Sequence, residues 1–172
     1  DSVFKAYDVR GTYPQPLNED LAYKIGYATA QFLQASLRGV ERGDLEAGRI
    51  VVGRDMRKSS PSMSGAFIEG ARAAGSPVID IGMIDTSQIY FAVNHVKCAG
   101  GVQPTASHNP GHYNGFKLSG AGGSPWVPSR RKSAMRPASP FTSLERIATR
   151  RPSGTASGWK KWLRQLRVAF KS

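Results

Sequence analysis

Two short apolar runs, Arg49–Gly53 and Val78–Ile81, enclose a stretch of helical period, and no other feature restricts the fold of this chain so strongly. Short strands joined through a helix pair in parallel, and the crossover between them is right-handed. Ser60 is placed to cap that helix, with Pro61 in the first turn where a missing N–H costs nothing. Ala66, Phe67, Gly70, Ala71 and Ala74 give it a narrow face for close packing, and Gly75 stops it. The unit implies an α/β fold, and such sheets place ligand chemistry on loops at the carboxyl ends of their strands.

The flanking sequence extends this frame. Val3–Val9 alternates and reads as a strand that delivers Tyr7, Asp8 and Arg10 to a turn at Gly11. Asn18 caps a helix with Glu19 and Asp20 in its first turn and Leu21, Ile25, Ala28, Phe32 and Leu33 on one face; Gly39 and Gly43 mark the break after it. Thr86 is the expected cap of a further helix, Ser87–Val96, burying Ile89, Tyr90, Val93 and Val96. Gly100–Val102 enters the sheet, Phe116–Leu118 returns as an edge strand or ribbon, and Ser119–Gly123 makes a turn. That glycine-rich turn lacks the lysine and spacing of a P-loop, which argues against nucleotide binding.

Charge divides the chain in two. Residues 1–125 hold 12 basic and 11 acidic side chains, whereas 126–172 hold 12 basic residues and a single acid, Glu145. The net charge of +12 therefore belongs to the tail. Cys98 is alone, so no intrachain disulfide can form; it reads as a small buried residue in a reducing compartment. No apolar run has the length of a membrane span and no signal-peptide pattern precedes Val3, which together with the lone thiol leads to the expectation of a cytoplasmic protein. The chain opens on Asp1, which leaves its true start undefined.

Between Gly100 and Leu118 the sequence GGVQPTASHNPGHYNGFKL is punctuated by Pro104, Pro110, Gly111 and Gly115 and reads as a loop that presents side chains. The Ser107 hydroxyl, His108 imidazole, Asn109 amide and Lys117 ammonium supply an acceptor, a proton carrier, an orienting dipole and a countercharge for phosphoryl transfer. An ordinary turn, in which Ser and Asn bond their own backbone, accounts for the same spacing. His95 and His112 read as surface residues.

The wording of the whole stretch separates these readings. Thr105-Ala106-Ser107-His108-Asn109-Pro110 with Tyr113-Asn114-Gly115-Phe116-Lys117 resembles the phosphoserine loop of the α-D-phosphohexomutases, the phosphomannomutases and phosphoglucomutases. Phe4, Tyr7, Asp8, Arg10 and Gly11 resemble the segment that opens those proteins, and Gly53-Arg54-Asp55 with Arg57, Ser59 and Ser60 resembles a third. The resemblance implies a three-layer α/β/α fold with a mixed, mostly parallel sheet over residues 1–123. It implies that Ser107 carries a phosphoryl group exchanged between the 1- and 6-positions of a hexose phosphate, glucose or mannose, with hexose 1,6-bisphosphate as activator. Lys117 and His108 become catalytic candidates; Tyr7, Arg10 and Asn109 become substrate-binding candidates. Mg²⁺ is implied as cofactor, with a phosphate oxygen on Ser107 as its one ligand from this segment. Arg54 and Asp55 read as a structural pair near the loop.

Two departures stand out: Gln103-Pro104 where the family has apolar strand residues, and Asp85-Thr86-Ser87 where it has Pro-Thr-Pro. The resemblance runs from Val3 to about Gly122, and the family's metal loop, sugar loop and phosphate loop would lie beyond it. A fragment inactive alone is therefore expected. Residues 124–172 form a non-homologous basic tail, rich in Arg, Ser and Pro in its first part and expected to be disordered there. At 158–170, Trp159, Trp162, Leu163, Leu166 and Phe170 alternate with Lys160, Lys161, Arg164 and Arg167 as in a basic amphipathic helix. A wrong-frame translation accounts for the abrupt change and the bias together. The other readings are a binder of nucleic acid or anionic membrane, attached to a relic α/β domain, and a helix covering the sheet.

Overall fold

A computed structural model describes residues 3–5, 8–36 and 48–123; Tyr7 and the whole of the basic tail lie outside the described residues. Five strands form one mixed sheet in the order β1-β5-β4-β2-β3. They are β1 (Val9–Thr12), β2 (Ile50–Arg54), β3 (Val78–Met83), β4 (Gly100–Pro104) and β5 (Tyr113–Gly120). β2 pairs in parallel with β3 and β4, while β5 runs antiparallel to both β4 and β1. Four strands thus share one direction and β5 opposes them. Three helices, α1 (Glu19–Ser36), α2 (Ser60–Ala73) and α3 (Thr86–His95), complete the three-layer α/β/α arrangement.

The layers follow from two apolar clusters. α1 and α2 cover one face of the sheet through Ile25, Ala28, Leu33, Met63, Phe67 and Ala71, packed on Val9, Ile50, Val52, Val102, Phe116 and Leu118. At the centre the Phe67 and Phe116 rings meet at 5.5 Å. Burying each is worth about 3 kcal/mol. Ile89 and Val93 of α3 cover the other face at Val51, together with Cys98, which is fully buried as expected.

α1 begins where Asn18 accepts the Leu21 N–H at 3.0 Å. Its buried surface is wider than the expected stripe: Leu21 and Phe32 are only half-buried, whereas every residue from Ile25 to Ala30 is buried. The cause is contact with α2 through glycines. A methyl group on Gly26 would lie 2.1 Å from the Phe67 carbonyl oxygen, and one on Gly70 would lie 2.0 Å from that of Tyr23. The two backbones therefore touch, and side chains beside each glycine are covered as well.

Four local expectations need correction. The N-terminal strand is Val9–Thr12 rather than Val3–Val9, because the chain reverses between Lys5 and Asp8 (N–H to carbonyl 2.8 Å) and Phe4 bridges back to Val9. Arg10 and Gly11 accordingly sit on the strand and not in a turn. β5 spans eight residues in the sheet interior instead of three at an edge, with a short 3₁₀ turn, Ala121–Gly123, after it. Ser59 occupies the cap position of α2, one residue before the expected Ser60, and neither serine caps it through the side chain.

The fourth correction concerns α3, which is capped by Asp85 and not Thr86. The Asp85 carboxylate accepts the Ser87 and Gln88 N–H groups at 2.8 and 3.1 Å, and the Gln88 side chain returns a bond to the Asp85 N–H. The Ser87 hydroxyl and then the Gln88 amide hold the Asp85 carboxyl below its ordinary range. Glu19 is lowered likewise, first by the Tyr13 hydroxyl and then by Ser62. A carboxyl depressed in the folded state adds stability above its unfolded pKa and loses it as pH falls through the folded one. The melting temperature should therefore drop below about pH 4. Asp85→Asn, which keeps an acceptor for the cap, should flatten part of that drop. A melting-temperature profile in acid identical to the original chain's would refute the assignment.

Candidate active site

β4 lies between β2 and β5 and releases the chain from its carboxyl end into the serine loop. Gln103 and Pro104 are both inside the strand: the Gln103 amide donates to the Ile84 carbonyl at 3.2 Å, and the Pro104 carbonyl accepts the Asp55 N–H at 3.1 Å. Pro104 stands opposite Phe116 at the last paired position, where its carbonyl is the group in use. Ala106 to Asn109 then close a tight turn, with the Asn109 N–H and side-chain amide both donating to the Ala106 carbonyl at 3.1 and 2.7 Å. Ser107 is exposed at the second position of this turn with φ of 55°, a left-handed conformation uncommon outside glycine. Its N–H donates to the Thr105 hydroxyl at 3.0 Å. Ser107 is thus exposed on a bend closed by its own backbone and by the Asn109 amide.

Holding a serine in that conformation requires support, and Arg57 provides it. Its guanidinium donates to the backbone carbonyls of Ser107 (2.9 Å), Asn109 (2.6 Å), Pro110 (2.7 Å) and Tyr113 (3.1 Å). Its Nε donates to Asp55 at 3.0 Å. Asp55 also accepts the Arg57 N–H and the Ser60 hydroxyl. Beneath them the fully buried Asn114 donates to the Ser59 and Ser60 hydroxyls at 2.8 and 3.1 Å. The expected Arg54–Asp55 pair is therefore an Arg57–Asp55 pair; the Arg54 side chain makes no ion pair among the described residues. Sequence reading missed Arg57 as the loop's anchor and Asn114 as its footing. The available signal was the spacing itself, with Asp55, Arg57 and two serines crowded before a helix.

Beside the loop opens a cleft of about 810 Å³, lined in part by Lys5, Arg10, Thr12, Asn18, Asn109 and Tyr113. Two of the sequence-derived binding residues, Arg10 and Asn109, meet here although 99 positions apart, because β1 docks on β5. Arg10 pairs with Asp8 at 3.1 Å and keeps further donors toward the cleft. The cleft wall is cationic and rich in hydrogen-bonding groups, a chemistry suited to a phosphorylated polyol.

The other candidates are placed differently. Lys117 lies opposite Gln103 on β5, partly buried, while its neighbours Phe116 and Leu118 point into the core; its side chain therefore leaves by the other face of the sheet. His108 is exposed on the bend next to Ser107, with no hydrogen bond among the described residues. Neither lines the cleft. His95 and His112 are exposed, as expected. No three His, Cys, Asp or Glu side chains converge among the described residues to hold a metal ion. Burial pushes the Cys98 thiol up, which keeps it protonated and out of such chemistry. No helix among the described residues is long and apolar enough to cross a membrane.

Residues 1–136 match the family model described as phosphoglucomutase/phosphomannomutase, alpha/beta/alpha domain I. A Xanthomonas campestris protein named for phosphohexose mutases is 49% identical over 116 residues, which are 67% of this chain and 23% of that protein. A Klebsiella pneumoniae phosphomannomutase is 46% identical over 117 residues, 68% of this chain and 67% of its own length. Among solved structures, a phosphoglucomutase/phosphomannomutase family protein from Burkholderia thailandensis superposes with a TM-score of 0.65 at 33% identity, over 85% of this chain and 29% of that one. The chain thus spans about a quarter of the length of the Xanthomonas relative.

Proposed function

Because this chain belongs to the phosphoglucomutase/phosphomannomutase family, we propose that it is the serine-bearing part of a phosphohexomutase that moves a phosphoryl group between the 1- and 6-positions of a hexose phosphate. The observation that carries this reading is Ser107, exposed on a braced bend beside a cleft that Asn109, two residues on, shares with Arg10. In the exchange the Ser107 oxygen attacks a phosphorus of the hexose 1,6-bisphosphate. A P–O bond to Ser107 forms, the P–O bond to the sugar breaks, and the hydroxyl proton ends on the sugar oxygen. The phosphoserine then gives its phosphoryl group to the free hydroxyl of a hexose monophosphate, and the bisphosphate so formed returns its other phosphoryl group to Ser107, which leaves the isomeric monophosphate.

Arg10 and Asn109 take their roles from their place in the cleft, whereas Lys117 and His108, which do not line it, take theirs from the family. Arg10 holds the phosphate that is not reacting, its guanidinium matching two phosphate oxygens at once. Lys117 stabilises the charge on the transferred group or carries the proton at the sugar oxygen, and His108 shuttles a proton or orients the bend. Asn109 spends one amide N–H on the Ala106 carbonyl, which leaves its second N–H and its side-chain oxygen for a substrate hydroxyl.

Incubation with glucose or mannose 1,6-bisphosphate, followed by mass-spectrometric mapping, should find one phosphate, on Ser107. Ser107→Ala should abolish it. Phosphate at another residue, or none under conditions where a complete mutase labels its own serine, would refute the assignment.

A further inference from the structure

Arg57 holds the Ser107 bend through four backbone carbonyls, and its chemistry is fully spent there. A guanidinium has five N–H donors. All five are used: two at Nη1 on Pro110 and Tyr113, two at Nη2 on Ser107 and Asn109, and Nε on Asp55. No donor is left for a phosphate or a sugar. We propose that Arg57 is a positioning residue, a latch that fixes the left-handed conformation of Ser107 and with it the line of attack of the hydroxyl, without touching substrate.

Three features support a latch over a general stabiliser. Four of the five acceptors are carbonyls of one continuous segment, residues 107–113. The fifth ties the guanidinium to Asp55, whose second oxygen receives Ser60 at the start of α2 and whose N–H bonds the end of β4. The bend is thereby referenced to the sheet and to α2 at once, through Asn114 under the serines. The planar fork also explains why arginine stands here: a lysine, with three donors on a flexible stem, satisfies neither the number nor the spread of these carbonyls.

The part of this inference that concerns phosphoryl uptake rests on the function proposed above; the latch itself does not, and the two are separable by experiment. In the full chain, Arg57→Lys and Arg57→Ala should speed amide exchange in peptides covering 105–113 by about tenfold or more, with β2 and β4 amides little changed. Uptake of phosphate by Ser107 from a hexose 1,6-bisphosphate should slow by about 100-fold, since a misplacement of about 1 Å costs that much. Added guanidinium ion should restore part of the rate in Arg57→Ala and none in Ser107→Ala. Should Arg57→Ala fail to fold, Asp55→Asn, which weakens the anchor of Nε, should show the same local loosening to a lesser degree. Loop exchange unchanged in both Arg57→Lys and Asp55→Asn would overturn the latch. So would a loosened loop that still phosphorylates at the original rate. Failure of the unaltered chain to take up phosphate would instead count against the proposed function, leaving the exchange result to decide on the latch.

Discussion

Gly70→Ala should destabilise the chain by about 3 kcal/mol or more, a large part of the stability of a domain this size. The added methyl group would stand 2.0 Å from the Tyr23 carbonyl oxygen and 3.0 Å from the Tyr27 nitrogen, both backbone atoms of α1. A side chain can rotate out of the way; a helix backbone cannot. α1 and α2 would have to separate, and the shift would propagate to Phe67 and its contact with Phe116. Gly26→Ala makes the same test from the other side, against the Phe67 carbonyl at 2.1 Å. Gly65 is the control, because it lies on α2 with open space around it, and alanine there should be neutral or slightly stabilising. Urea denaturation reads the difference. A midpoint for Gly70→Ala equal to that for Gly65→Ala would sink the account of the helix contact.

Gly115→Ala should damage the site as well as the fold. Its methyl group would fall 2.1 Å from the Val9 carbonyl oxygen and 3.0 Å from that of Thr105. The first belongs to β1, the second to the entry of the serine loop, whose Thr105 N–H donates to the Gly115 carbonyl at 2.9 Å. β1 would be pushed from β5, moving Arg10, which pairs in register with Gly115, away from Asn109 across the cleft. The expected cost is about 3 kcal/mol in stability and about 100-fold in the rate at which Ser107 takes up phosphate. Both are measurable on the same preparation, by denaturation and by phosphate mapping. Normal labelling of Ser107 in a destabilised Gly115→Ala chain would show that the β1 strand is dispensable to the serine.

Much of this was legible in the residues. The β2-α2-β3 unit follows from two apolar runs and a helical period between them, and the exposed placement of Ser107 follows from the prolines and glycines around it. Pairing was harder to read. β5 looked like a short edge piece because Phe116 and Leu118 are the only residues it gives to the apolar core, and only the arrival of β1 on its far side makes it interior. The caps were misplaced by one residue at both α2 and α3, as serine, threonine and aspartate at adjacent positions are equally good candidates by type. Asp85 was noted as a departure from its relatives, yet the same carboxylate proves to be the acceptor that starts α3. Arg57 escaped because its partners are backbone carbonyls, which carry no residue-type signature. No pattern in sequence announces a contact whose other side is the main chain.

The place of β5 between β1 and β4 also sets an order of events during synthesis. β2, β3 and β4 are neighbours in the sheet and close in sequence, but Val9 must wait for Phe116 to leave the ribosome before it has a partner. At ordinary elongation rates that interval is on the order of 5 to 20 s. During it the first strand and the residues around Arg10 lack their β5 partner, and the cleft beside the serine loop cannot take shape until β5 has emerged.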